Sequence, residues 1–260
     1  MKSFRRTQIT IAIVLGVSLF LALMSAVAQT PSPRGVVRLR VRMKVGNAQK
    51  GLPRKRFYLI KGSLDDNKAL LQSMGAQPIV SRDCFYRGLH ASDALIRWLK
   101  ENDCESIYCR EVEQKDVEGP QAVPEFQAAV ATGTKAFGTA DLARKWLAVN
   151  LSDDLRIGFY RQQQQKLDAL LKQAADATKA TPMSVMTDRN GTAYFTDVEP
   201  GTYVISNIVP TEYSGATELW NCEVTVKPGD LASEKPYLIS NQKDKTVKCV
   251  AVEKPLPACP

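Results

Sequence analysis

The sequence predicts an α+β protein, a β-sandwich interrupted by a large helical insertion. Three observations carry this. The stretch VVRLRVRMKVG alternates Val37, Leu39, Val41, Met43 and Val45 with Arg38, Arg40, Arg42 and Lys44, the period of a strand with one apolar and one basic face. Between residues 63 and 181 the apolar positions recur at helical spacing. From Met183 strand patterns return, with a turn dipeptide at Asn190-Gly191 and a Pro-Gly corner at Pro200-Gly201.

The chain opens as an export signal. Lys2, Arg5 and Arg6 precede an apolar run from Ile9 to Met24, and Ser25-Ala26-Val27-Ala28 follows as an A-x-A cleavage pattern. The expected cut lies between Ala28 and Gln29, after an N-terminal signal helix. The competing reading is an uncleaved anchor over residues 9–28, long enough to span a bilayer of roughly 30 Å. A Pro-containing linker, 29–35, leads to the basic strand, and a turn then introduces a second strand around Phe57 to Ile60.

The insertion has helix composition from SLDDNKALLQSMG onward. Ser92 is placed to cap a helix with Leu95, Trp98 and Leu99 on one face. Phe126, Val130 and Phe137 share a second helix, and Thr139 caps a third with Leu142 and Trp146 four apart. The longest helix starts at Ser152 with the stripe Leu155, Phe159, Leu167, Leu170, Leu171 and Ala174. Gln163, inside RQQQQK, breaks that stripe and marks a solvated middle.

In the returning strands, Ala193 and Phe195 alternate with Tyr194 and Thr196, and Tyr203 and Ile205 with Val204 and Ser206. The stretch TDRNGTAYFTDVEPGTYVIS, residues 187–206, resembles the D-x-N-G-x-F-x-F-x-x-L-x-P-G-x-Y-x-L core of carboxypeptidase regulatory-like domains and collagen-adhesin B-type repeats. Ala193 departs from the larger apolar residue usual there. The resemblance implies a transthyretin-like (prealbumin-like) Greek-key β-sandwich that acts as a scaffold, adhesion or folding-support unit and does no chemistry itself. It also raises a Lys44–Asn241 isopeptide bond, but Asn207 stands where the late motif has glutamate and the assisting acid is missing. The expected organisation is a signal peptide at 1–28, a linker at 29–35, a sandwich from 36–62 and 182–252, an insertion at 63–181 and a Pro-rich tail at 253–260.

Six cysteines in a chain with an export signal favour disulfides and an oxidising compartment. Cys84, Cys104 and Cys109 lie mid-chain and Cys222, Cys249 and Cys259 near the end, so full pairing needs at least one bridge between the groups. Cys222 with Cys249, and Cys84 with Cys104 or Cys109, are the pairs considered. Zinc is a rival for Cys104-x4-Cys109, with a spacing slightly too long.

No nucleophile elbow, P-loop or H-E-x-x-H occurs. His90 is the single histidine, and a Cys84–His90 pair lacks any recognisable oxyanion element. No catalytic residue, cofactor or metal is expected. Residues 34–61 hold ten Lys or Arg and no Asp or Glu. Arg38, Arg40, Arg42 and Lys44, spaced about 7 Å apart on one strand face, would meet an anionic envelope surface, a glycan or an acidic protein partner. The bland alternative is a solvated face neutralised by acids on neighbouring strands or on the insertion. Nucleic acid is not an expected partner for an exported chain, and a membrane is one only if the signal stays uncleaved.

The chain thus reads as an exported, non-enzymatic binding or structural module of the periplasm or cell surface. The alternatives are a hydrolase with its site between sandwich and insertion, or a carbohydrate-binding module using Tyr194, Tyr213 and Trp220. A concave pocket at the sandwich–insertion junction, lined by convergent polar groups, would mark a ligand site, whereas a closed apolar junction would favour a structural role.

Overall fold

The structure is a computed structural model that describes residues 34–213, 216–230, 236–240 and 248–259. The expected signal helix and the Ala28–Gln29 cleavage point lie outside the described residues, as does Asn241.

Two sheets face one another. The first is built on β1 (Gly35–Val45), which pairs antiparallel with β5 (Thr192–Val198) along its first half and with β2 (Ala48–Gly51) along its second. At residues 39–42 it also pairs, in parallel, with β9 (Tyr237–Ser240). The second sheet runs β10 (Cys249–Pro255), β8 (Ala216–Val226), β6 (Gly201–Ser206), β3 (Arg56–Lys61), β4 (Met183–Met186), and β7 (Thr211–Tyr213) pairs with the start of β8.

The sheets differ in how many faces they bury. Along β1 only alternate residues are buried: Val37, Leu39, Val41 and Met43 fill the sandwich interior. In β3 the run Phe57, Tyr58, Leu59, Ile60 is buried without a break. Phe57 and Leu59 enter the sandwich core with Trp220, Tyr203 and Ile205. Tyr58 and Ile60 point the other way, with Val204 and Leu219, and are covered by Leu70 and Met74 of α1 (Lys68–Ala76) and Leu170 and Ala174 of α7 (Phe159–Thr178). A strand buried on both faces reads as a continuous apolar run, and one buried on a single face alternates. Trp220 is fully buried, its ring centroid 5.9 Å from that of Phe57, at a site where truncation to alanine costs about 3–5 kcal/mol.

The helical segment has its own core. α2 (Arg82–Gly88), α3 (Asp93–Glu101), α4 (Gln114–Val117), α5 (Pro124–Phe137) and α6 (Ala140–Lys145) gather Tyr86, Leu95, Leu99, Phe126 and Leu147. The Ser92 hydroxyl accepts from the Leu95 amide, and Thr139 accepts from Leu142, so both caps form as the sequence requires. Glu125 reaches across from α5 to take the Ser92 amide and hydroxyl at 2.6 and 2.7 Å, locking α3 to α5. One face is turned relative to expectation. Ala143 and Leu147 are the buried residues of that stretch, while Leu142 and Trp146 are 40% and 57% exposed. A helix as short as α6 is oriented by its neighbour α5, not by its own two large apolar side chains.

The turn at Asn190-Gly191 also differs from a simple hairpin. β4 belongs to the second sheet and β5 to the first, so the turn carries the chain across the sandwich. Asp188 organises it: its carboxylate accepts from the amides of Asn190 and Thr192, each at 2.8 Å. Gly191 alone of the dipeptide adopts positive φ, at 74°. Its carbonyl accepts from the Val41 amide at 2.7 Å, and a Cβ placed there would lie 2.5 Å from the Val41 carbonyl oxygen. The turn is therefore docked on β1 and admits no side chain. At the next corner the Tyr203 hydroxyl donates to the Glu199 carbonyl at 2.8 Å and holds the return into the second sheet.

Two predictions follow from these contacts. Gly191→Val combines left-handed strain with a backbone clash and should lower stability by about 2 kcal/mol or more, read as a shifted urea midpoint; an unshifted midpoint would mean that the turn is not docked as described. The second concerns Glu218, buried on β8 opposite Glu253 of β10. Burial, and then the Glu253 charge, push its carboxyl from 4.5 up to about 7. Between those values the folded chain holds a proton that the unfolded chain releases, so stability should fall as pH rises through this window. Glu218→Gln should flatten that slope, and a variant that keeps the wild-type slope would place its origin elsewhere.

Candidate functional site: a cationic sheet face

The outward side chains of β1 are Arg38, Arg40, Arg42 and Lys44. Arg40 and Lys44 are exposed, and Arg38 and Arg42 half-buried. Strand register identifies their neighbours. Arg38 lies opposite Tyr194, and Arg40 opposite Thr192 on β5 and Leu238 on β9. Arg42 lies opposite Gly51 and Ser240, and Lys44 opposite Gln49. None of these neighbours is acidic. The carboxylate closest in sequence on β5, Asp197, pairs with Arg34 at 2.5 Å, beyond the end of the row. Among the described residues no carboxylate lies within salt-bridge distance of Arg38, Arg40 or Arg42. Among the described residues, the strands in register with β1 place no acid opposite Arg38, Arg40 or Arg42.

The row has an amphipathic border. The Arg38 guanidinium sits over the Tyr194 ring, 5.8 Å from its centroid, and its buried Nε has no hydrogen-bond partner. Tyr194 is 45% exposed and Leu238 42%. The face therefore presents cations with an aromatic and an aliphatic side chain beside them. The alternation around Tyr194 placed that residue on an outward face, but only the pairing of β5 and β9 with β1 brings Tyr194 and Leu238 to the arginines.

The other candidates fall elsewhere. Trp220 is in the core, away from Tyr194, and the Tyr213 side chain lies outside what the structure describes, so the three aromatics do not form a shared platform. Cys84 is bonded to Cys259, Cys104 to Cys109 and Cys222 to Cys249. Cys84 thus bridges the two cysteine groups instead of reaching Cys104 or Cys109, and as a disulfide it offers His90 no thiol to activate. His90 follows α2 in a left-handed conformation, exposed to solvent. Cys222 and Cys249 face one another in the β8–β10 register. Asn207 is fully engaged in shaping a turn: its amide donates to Val209, Thr211 and Glu218 and its carbonyl accepts from Trp220. Among the described residues no group of three or more His, Cys, Asp or Glu is placed to hold a metal, and no helix is long and apolar enough to cross a membrane.

No family model matches the chain, and no curated protein matches it. Among solved structures the chain is similar to the pilus backbone RrgB from Streptococcus pneumoniae, at 11% identity and a TM-score of 0.24, over 80% of this chain and 41% of that one. The chain spans well under half the length of that protein, and a likeness this faint assigns neither a fold family nor a function.

If Arg40 is unpaired within the fold, removing its charge relieves repulsion and breaks nothing. Arg40→Gln should leave stability within about 0.5 kcal/mol of wild type, with any gain largest at low ionic strength, where screening is weakest. A loss well above that in thermal or urea unfolding would reveal a structural partner for Arg40.

Proposed function

We propose that the chain is an exported, non-enzymatic module of the cell envelope that docks on an anionic lipid surface through the cationic face of its first sheet. The observation that carries this reading is the unneutralised row Arg38, Arg40, Arg42, whose register neighbours are Tyr194, Thr192, Leu238, Gly51 and Ser240. A row of cations on an extended strand meets an array of anions, not a single point charge. Tyr194 and Leu238 beside it suit an interface where aromatic and aliphatic groups sit at headgroup depth. The A-x-A pattern ending at Ala28 and three disulfides support export to an oxidising compartment.

The reading of the sandwich as transthyretin-like rests on the residues 187–206 pattern and on the alternation of β4, β5 and β6 between the two sheets. No reaction is assigned to it. A basic residue held at an anionic surface contributes about 1 kcal/mol, so Arg38, Arg40 and Arg42 together give about 3 kcal/mol, a millimolar contact. Such a contact is reversible by itself and becomes firm when many copies, or a second tether, act together.

The test is sedimentation with vesicles of phosphatidylglycerol and phosphatidylcholine, against vesicles of phosphatidylcholine alone. Wild type should pellet only with the anionic vesicles and be released by high salt. The triple variant Arg38→Gln, Arg40→Gln, Arg42→Gln should keep its melting temperature, because Val37, Leu39, Val41 and Met43 still fill the core, and should lose binding by about tenfold or more. Equal binding by wild type and variant, or binding to acidic polysaccharide but not to anionic vesicles, would overturn the lipid reading.

A further inference from the structure

The junction between sandwich and helical layer is not closed. Where α1 and α7 stop covering the second sheet, a cleft of about 250 Å³ opens. The outward side of β3 forms one wall, with Tyr58, and the first turns of α7 form the other, with Phe159, Tyr160, Gln163 and Gln164. This volume lies just under the range of about 300–1,000 Å³ typical of drug-sized ligands, so the body it admits is small.

Gln163 explains why the space exists. In the stripe Leu155, Phe159, Leu167, Leu170, which runs from the residues before α7 into that helix, the position between Phe159 and Leu167 is an amide, and it faces the cleft with Gln164. An apolar side chain there would close the helix onto the sheet as Leu170 and Ala174 do about two and three turns later. A turn of π-helix, Asp154–Gly158, precedes Phe159 and sets the phase in which Phe159 and Tyr160 enter the wall.

The charges at the rim sort into paired and open ones. Lys55 is held by Asp103 at 3.1 Å. Arg82 donates to the Cys104 carbonyl at 3.2 Å and has Glu212 at 3.7 Å. Arg54 and Arg56 have no carboxylate partner among the described residues; Arg56 donates to the Ser184 hydroxyl at 3.2 Å, and Arg54 is held at φ 56°, a conformation that side chains rarely adopt. Glu105 is the one acid of the lining left without a cation among the described residues. Tyr58 is 5% exposed, and its hydroxyl makes no hydrogen bond among the described residues while opening on the same space as Arg56. Burial holds the Tyr58 hydroxyl above its ordinary pKa, so it stays a donor. Two open guanidinium groups and a phenolic donor lie beside an aromatic and aliphatic wall.

We propose that this cleft binds a small amphipathic carboxylate: the carboxylate is taken by Arg56, Arg54 and the Tyr58 hydroxyl, and the apolar body lies against Phe159, Tyr160 and Leu167. Charge-assisted hydrogen bonds to arginine favour the anion, and the wall rewards a body with a flat or aliphatic surface. The site is independent of the cationic row on β1.

The experiment uses the full chain with its disulfides intact and two probes, 4-phenylbutyrate and 4-phenylbutyramide, followed by saturation-transfer NMR and titration. The carboxylate should bind about tenfold more tightly than the amide. Arg54→Gln with Arg56→Gln should erase that preference, and Tyr58→Phe should weaken it. Gln163→Trp, which fills the cleft, should abolish binding of both probes while vesicle sedimentation is unchanged. If that variant unfolds, the arginine pair still decides the matter. Equal binding of acid and amide to wild type, no binding of either, or a carboxylate preference that survives loss of both arginines would overturn the proposal.

Discussion

Tyr58, Ile60, Val204 and Leu219 point away from the sandwich interior, and all four are buried. Exposing an apolar side chain of this size costs about 1.5–3 kcal/mol. Four together approach the whole stability of an ordinary domain, about 5–15 kcal/mol. The second sheet therefore cannot stand in water on its outer face, and the helices are its obligatory cover. The topology allows this cheaply. β3 and β4 are antiparallel neighbours with Leu59 opposite Met183, so the chain that leaves the sheet near Lys61 returns beside its own exit. The helical segment is an enlarged hairpin connection folded back over the sheet that launched it, and its ends need no separate closure. Cys84–Cys259 then fastens α2 to the tail beyond β10, at a sequence separation of 175 residues.

The first sheet follows the opposite rule. Its strands are buried on one side, and its outward positions are mostly polar or basic, with Tyr194 and Leu238 exposed among them. A sheet that needs no cover is free to carry charge, and β1 does so without acids in register beside it. Three like charges, Arg38, Arg40 and Arg42, stand in a row there and repel one another. On the reading proposed above, an anionic surface outside the chain relieves that repulsion.

The strict alternation in β1 made its two faces legible at once, and the same arithmetic was present in RFYLIK. A continuous buried run identifies a strand, yet periodicity alone does not say what lies on each side of it, so the helical cover over Tyr58 and Ile60 could be read only from the pairing of β3 with β6 and β4. Local chemistry reads well: Ser92 and Thr139 cap the helices they precede, and Gly191 takes the left-handed position. It reads badly where a distant contact decides. Leu142 and Trp146 were placed inward by spacing, but packing of α6 on α5 turned Ala143 and Leu147 inward instead. The pairing of Cys84 with Cys259 depends on where the tail runs, which no local pattern encodes.

The break at Gln163 is the instructive intermediate case. In the sequence it indicated a solvated stretch of helix, and it does mark where the apolar contact lapses. What the sequence could not show is the opposite wall, because Tyr58 and Arg56 lie over a hundred residues away along the chain. The lapse falls on the outer face of the second sheet, while the cationic row occupies the outer face of the first. Packed sheets stand about 10 Å apart, so the two surfaces look away from each other across the full sandwich. A body resting on Arg38, Arg40 and Arg42 leaves the cleft facing the opposite side. One-sided burial puts charge on one surface, two-sided burial with an incomplete cover puts a cavity on the other, and the sandwich core between them keeps occupation of one from obstructing the other.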